Sequence, residues 1–93
     1  MTNKTIETRC AVISLRDDGI LVWRNKPGAA VGHEDAIAGV EAQRLLSEGK
    51  RRPLLVDIRP GKSISRGARA HFSSDATVSI VTGVALLVDS GFS

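Results

Sequence analysis

The run Pro53-Leu54-Leu55-Val56-Asp57-Ile58 constrains the fold more than any other segment of the chain. It is nearly continuous in apolar residues, the pattern of a central strand covered on both faces in a sheet with helical crossovers. A strand with one face in water alternates apolar and polar residues, and this one does not. Its neighbours must come from the segments on either side of it.

On the N-terminal side, Glu7 to Leu15 alternates partially, with Cys10, Val12 and Ser14 on one face and Ala11, Ile13 and Leu15 on the other. Asp17-Asp18-Gly19 supplies a hairpin turn, and Ile20 to Arg24 returns as a second, antiparallel strand. Lys26-Pro27-Gly28 ends it, because proline cannot donate to a ladder. A helix is expected from His33 or Glu34 to Glu48, with Glu34 and Asp35 in its first turn and Gly49 as its stop. Ala36, Ile37 and Val40 share its apolar face, Arg44 continues that face, and Leu45 lies to one side. Gly39 costs this helix about 1 kcal/mol relative to Ala.

After the central run, the loop Arg59-Pro60-Gly61-Lys62-Ser63 leads to a short helix from Ser65 to Phe72. Ser65 is its expected N-cap, and Ile64, Ala68 and Phe72 form its buried stripe. Ser73-Ser74-Asp75 breaks it, and Val78 to Val88 is the last strand. The order is β-β-α-β-α-β, an α/β mixed sheet whose crossovers are right-handed and parallel. With 93 residues, the chain is expected to be a single domain, 1–93.

No segment approaches the roughly 20 apolar residues of a membrane span. Met1 to Arg9 lacks the apolar core of a secretion signal, so a cytoplasmic protein is expected. The lone cysteine, Cys10, rules out an internal disulfide and reads as a small buried hydrophobe. His33 and His71 have no third ligand at metal spacing, and no Ser-His-Asp or Cys-His grouping is supported by spacing. Neither an enzyme nor a cofactor is expected.

The bases are unevenly placed: seven of the thirteen fall between Lys50 and Arg69, where Asp57 is the one acid. This asymmetry marks either an anion-facing surface or a solvated edge. Nucleic acid is disfavoured as a partner, because the chain offers only Trp23, Phe72 and Phe92 as stacking platforms. Trp23 is open to two readings, an exposed contact residue or a buried one. Gly61-Lys62-Ser63 fails as a phosphate loop, since Val56 stands where another glycine is required. What remains is a strand end, a turn, two hydroxyls and a helix N-terminus ringed by bases. Arg59, Lys62, Ser63, Ser65 and Arg66 are therefore the candidate contacts for an anion or a partner.

Five motif clusters carry a family resemblance: Pro27-Gly28; Glu34-Asp35-Ala36; Leu55-Val56-Asp57-Ile58-Arg59; Ser63-Ile64-Ser65 with Ala68-Arg69 and Phe72; and Val84-Ala85-Leu86-Leu87-Val88-Asp89-Ser90. Together they resemble small bacterial proteins described as STAS-like or SpoIIAA-like, over about Glu7 to Ser93. The resemblance implies a mixed sheet with helices packed on one face. It also implies a chain shortened at its C-terminus, lacking the family's last helix and strand. In anti-sigma-factor antagonists of that fold, a phosphorylated serine at the start of the second helix switches partner binding. Here that position falls at Arg66 or Gly67, neither of which accepts phosphate, so the switch does not carry over. The expectation is a non-enzymatic regulatory or protein-interaction module, with a protein partner or a second copy of the chain. The alternative is a carrier of a small apolar or anionic ligand.

Overall fold

The central run becomes β5 (Arg52–Asp57), with Leu54 and Asp57 buried and Leu55 and Val56 half-buried. The computed structural model describes residues 4–60 and 63–87. Around β5 the chain forms β1 (Lys4–Glu7), β2 (Ala11–Leu15), β3 (Leu21–Asn25), β4 (Ala30–Val31), α1 (His33–Ser47), β6 (Ser63–Ile64), α2 (Arg66–Phe72), α3 (Asp75–Val78) and β7 (Val81–Leu87). The main sheet has the order β1-β2-β3-β5-β7, and β4 pairs separately with β6. β2 pairs antiparallel with both β1 and β3, whereas β3, β5 and β7 run parallel. The fold is α/β with a mixed sheet, as the alternation of strands and helices requires.

Three boundaries depart from the sequence reading. The first strand is two strands, because a tight turn interrupts it: Thr8 N donates to Ala11 O at 2.8 Å and Ala11 N to Thr8 Oγ1 at 3.1 Å. Arg9 and Cys10 carry no turn signature, so the hydroxyl of Thr8 closes this hairpin without glycine. The last strand begins at Val81 rather than Val78, since Asp75–Val78 coils into one helical turn after Ser74. The short β4–β6 pair had no apolar run to announce it. The Asp17-Asp18-Gly19 turn forms as expected, with Gly19 at φ +86° and its N–H donating to Arg16 O at 3.0 Å. Ser65 caps α2 as expected, accepting from Ala68 N at 3.1 Å.

Among the described residues, β5 is covered on one face, not two. Ala11, Ile13, Leu15, Leu21, Trp23 and Leu54 meet Ala42 and Leu46 of α1, with Phe72 of α2 packed against the same cluster. Val12, Val22 and Leu55, which alternate to the opposite face, are only half-buried. The cause is topological. The sheet grows in one direction, β3 to β5 to β7, so two right-handed crossovers place both helices on the same side. No helix among the described residues is long and apolar enough to cross a membrane.

Trp23 is the buried centre of this arrangement, only 2% exposed. Its Nε1 donates to Asn25 Oδ1 at 2.7 Å, and its ring meets Phe72 edge-to-face with centroids 5.1 Å apart. α1 crosses directly over the indole at Gly39, where an added Cβ would lie 2.0 Å from Trp23 Cη2. That approach sets the rotation of the helix. Ala36, Gly39, Val40, Gln43 and Leu46 turn inward, while Ile37 and Leu45 stay exposed at 44% and 58%. The expected place of Ile37 on the buried stripe is thus corrected: the contact at Gly39 outranks the apolar count.

Gly39→Ala is expected to destabilise the protein by about 1–3 kcal/mol through overpacking, although Ala is the better helix former. Urea unfolding followed by Trp23 emission checks this; a more stable variant would contradict the close packing.

Candidate functional site

Because β3, β5 and β7 are parallel, their C-terminal ends lie at one edge of the sheet, beside the N-termini of α1 and α2. In parallel sheets that end is where binding sites form, since loops and helix starts converge there. Here the loops after β3 and β5 are stitched together. Gly28 N donates to Pro60 O at 2.9 Å, Ser65 N donates to Val31 O at 2.9 Å, and β4 pairs with β6 between them.

This stitching gathers the candidate residues but leaves them unequal. Arg59 forms a fork with Asp57, its Nε 2.9 Å from Oδ1 and its Nη2 2.9 Å from Oδ2. Arg59 N also donates to Asp57 Oδ1 at 3.2 Å, and Arg24 Nε lies 3.4 Å from Oδ2. These bonds, Arg59's foremost, hold the buried Asp57 carboxyl at about 2, below its ordinary 3.8. Arg59 therefore spends its fork on a residue of its own chain. Ser65 commits its hydroxyl to capping α2. Ser63 and Arg66 are exposed. Lys62 lies outside the described residues.

Among the described residues, the bases of the window fall at both ends of β5. β5 runs through the window and separates Lys50, Arg51 and Arg52 from Arg59 by roughly 20 Å, at about 3.3 Å per residue. At the far end, Arg51 Nη2 donates to Val81 O at 2.8 Å and Arg52 Nε to Ser47 O at 3.0 Å. Arg52 thus serves the C-terminal carbonyls of α1, where positive charge is favoured. Three bases of the window, Arg51, Arg52 and Arg59, thus bond to groups of their own chain.

Near the mouth, Asp35 is buried in the first turn of α1. It accepts from Gly32 N at 2.9 Å and from Arg9 through a fork of 3.0 and 2.5 Å. The Arg9 guanidinium holds that carboxyl below its usual range. Cys10 is buried beside it, and burial pushes its thiol up, so the protonated form is favoured. His33 and His71 meet across α1 and α2 with ring centroids 5.8 Å apart. Among the described residues no cluster of three His, Cys, Asp or Glu side chains is placed to hold a metal.

Sequence reasoning missed a cavity of about 430 Å³ on the helix side of the sheet, between β5, β7 and α2. Trp23, Phe72, Val84 and Leu86 line it with Gln43. Gln43 is 0% exposed, and neither its Nε2 nor its Oε1 has a hydrogen-bond partner among the described residues. The signal was present in the sequence: Gln43 follows Ala36, Gly39 and Val40 at helical spacing, a carboxamide on a stripe that faces the core.

Asp57 has a lower pKa folded than unfolded, so its pairing stabilises fully above pH 3.8 and is lost as pH falls toward 2. Asp57→Asn is expected to lower stability at neutral pH by roughly 1–3 kcal/mol. The gap to wild type should close in that acid window. Denaturant titrations at stepped pH measure it, and a gap constant with pH would refute the pairing.

A family model described as a domain of unknown function (DUF7793) matches residues 13–93. Neither a curated protein nor a solved structure matches the chain.

Proposed function

The chain belongs to the DUF7793 family, and on that premise we propose that it is a non-enzymatic, STAS-like interaction module whose partner adds a strand to β7. The STAS-like reading is supported by a hairpin feeding three parallel strands with both helices on one face. A cytoplasmic setting goes with this reading.

One observation carries the interaction reading. β7 is the edge of the sheet, paired among the described residues with β5 alone, and every residue of it after Val81 is exposed. Val84 is 60% exposed, Leu86 56% and Leu87 36%. An edge of this kind presents unpaired backbone groups, and protected edges usually carry lysine, proline or a covering element. Val81–Leu87 has neither charge nor proline. With no charge to repel its own copy, the segment suits an isologous antiparallel pairing, which makes a second copy of the chain the first partner to test.

Sedimentation over a wide dilution series is expected to show a dimer that dissociates, with a melting temperature that rises with concentration. Ala85→Lys places a charge on the edge strand and should leave a monomer whose melting temperature is independent of dilution. A wild-type protein that stays monomeric throughout would overturn self-pairing.

A further inference from the structure

We propose that the cavity beneath α1 and α2 is a binding site for an uncharged amphipathic molecule, an aliphatic body ending in a carboxamide or lactam edge. The inference goes beyond the interaction reading, since it concerns the helix side of the sheet rather than its edge.

The walls specify the body of such a ligand. At about 430 Å³ the cavity falls within the range of small-molecule sites, and its surface is dominated by Trp23, Phe72, Leu54, Val84 and Leu86. Val84 and Leu86 are more than half exposed, so β7 forms an open entrance. An apolar chain entering there removes apolar surface from water on both sides of the contact.

Gln43 specifies the polar end. The other polar groups of the lining are largely engaged: Thr77 Oγ1 donates to His71 O at 2.8 Å, and Ser73 Oγ to Arg69 O at 3.2 Å. The Gln43 amide is fully buried, with both its donor and its acceptor unpartnered among the described residues. A buried amide in that state costs stability, and it rewards any ligand that restores both bonds. A group with an adjacent donor and acceptor does so; a carboxylate answers Nε2 but opposes Oε1. An ester accepts from Nε2 and offers Oε1 nothing. Arg69 at the lining makes the carboxylate the comparison that matters.

The test uses the full chain and three probes with the same eight-carbon acyl chain: octanamide, methyl octanoate and octanoate. Trp23 is the only tryptophan and lines the cavity, so its emission reports entry directly, with calorimetry as an independent measure. Octanamide is expected to bind about tenfold more tightly than methyl octanoate, the effect of one or two added hydrogen bonds. Gln43→Leu, or the more isosteric Gln43→Met, should erase that preference while raising thermal stability, because an unpaired buried amide is removed. Equal affinity for amide and ester would overturn the proposal, as would tightest binding of octanoate, or no binding of any probe up to its solubility limit. Repeating the titration on Ala85→Lys separates this site from strand pairing, since that substitution lies outside the cavity lining.

Discussion

The approach of α1 to Trp23 is the contact on which the other packing relations depend. An indole this large fits between a sheet and a helix only where the helix offers no side chain, and Gly39 provides that gap. Once the helix is seated there, its rotation follows: Gln43 points inward and Ile37 and Leu45 outward. Phe72 then closes on the indole edge from α2, so one ring ties both helices to the sheet. The geometry favoured by aromatic quadrupoles is an edge-to-face pair, which is the one adopted.

Charge does a different job. The carboxylates of Asp35 and Asp57 lie at the same end of the sheet, each in a guanidinium fork, from Arg9 and Arg59. Both forks are partly open to water, so their energetic contribution is modest compared with the apolar core. Their effect is positional: they fix the chain as it leaves β5 and as it enters α1. The mouth they frame is therefore a braced edge, with Ser63 and Arg66 as its outward-facing polar groups.

The two functional proposals meet on β7. Its backbone edge invites another strand, and its side chains Val84 and Leu86 border the cavity. A partner strand at that edge would therefore lie beside the cavity's entrance. Coupling between them would run through a single strand, the shortest physical route the fold offers.

Much of the fold was legible in the chain because local chemistry decides it. The Asp17-Asp18-Gly19 turn needed a residue tolerant of positive φ, the Ser65 cap needed a short hydroxyl, and the Leu54–Ile58 run needed burial. What local pattern cannot carry is which face meets which neighbour. Coverage of β5 on one side only came from the shared direction of two crossovers. The separation of Lys50, Arg51 and Arg52 from Arg59 came from a strand running between them. The fate of Trp23, open to two readings from its neighbours, was decided by a glycine sixteen positions away. So the amino-acid sequence by itself determined the elements, their order and their caps, through interactions spanning a few residues. Only the tertiary structure decided the cavity, the buried amide of Gln43 and the place of β7 at the sheet edge among the described residues, because each is a property of surfaces that meet across distant parts of the chain.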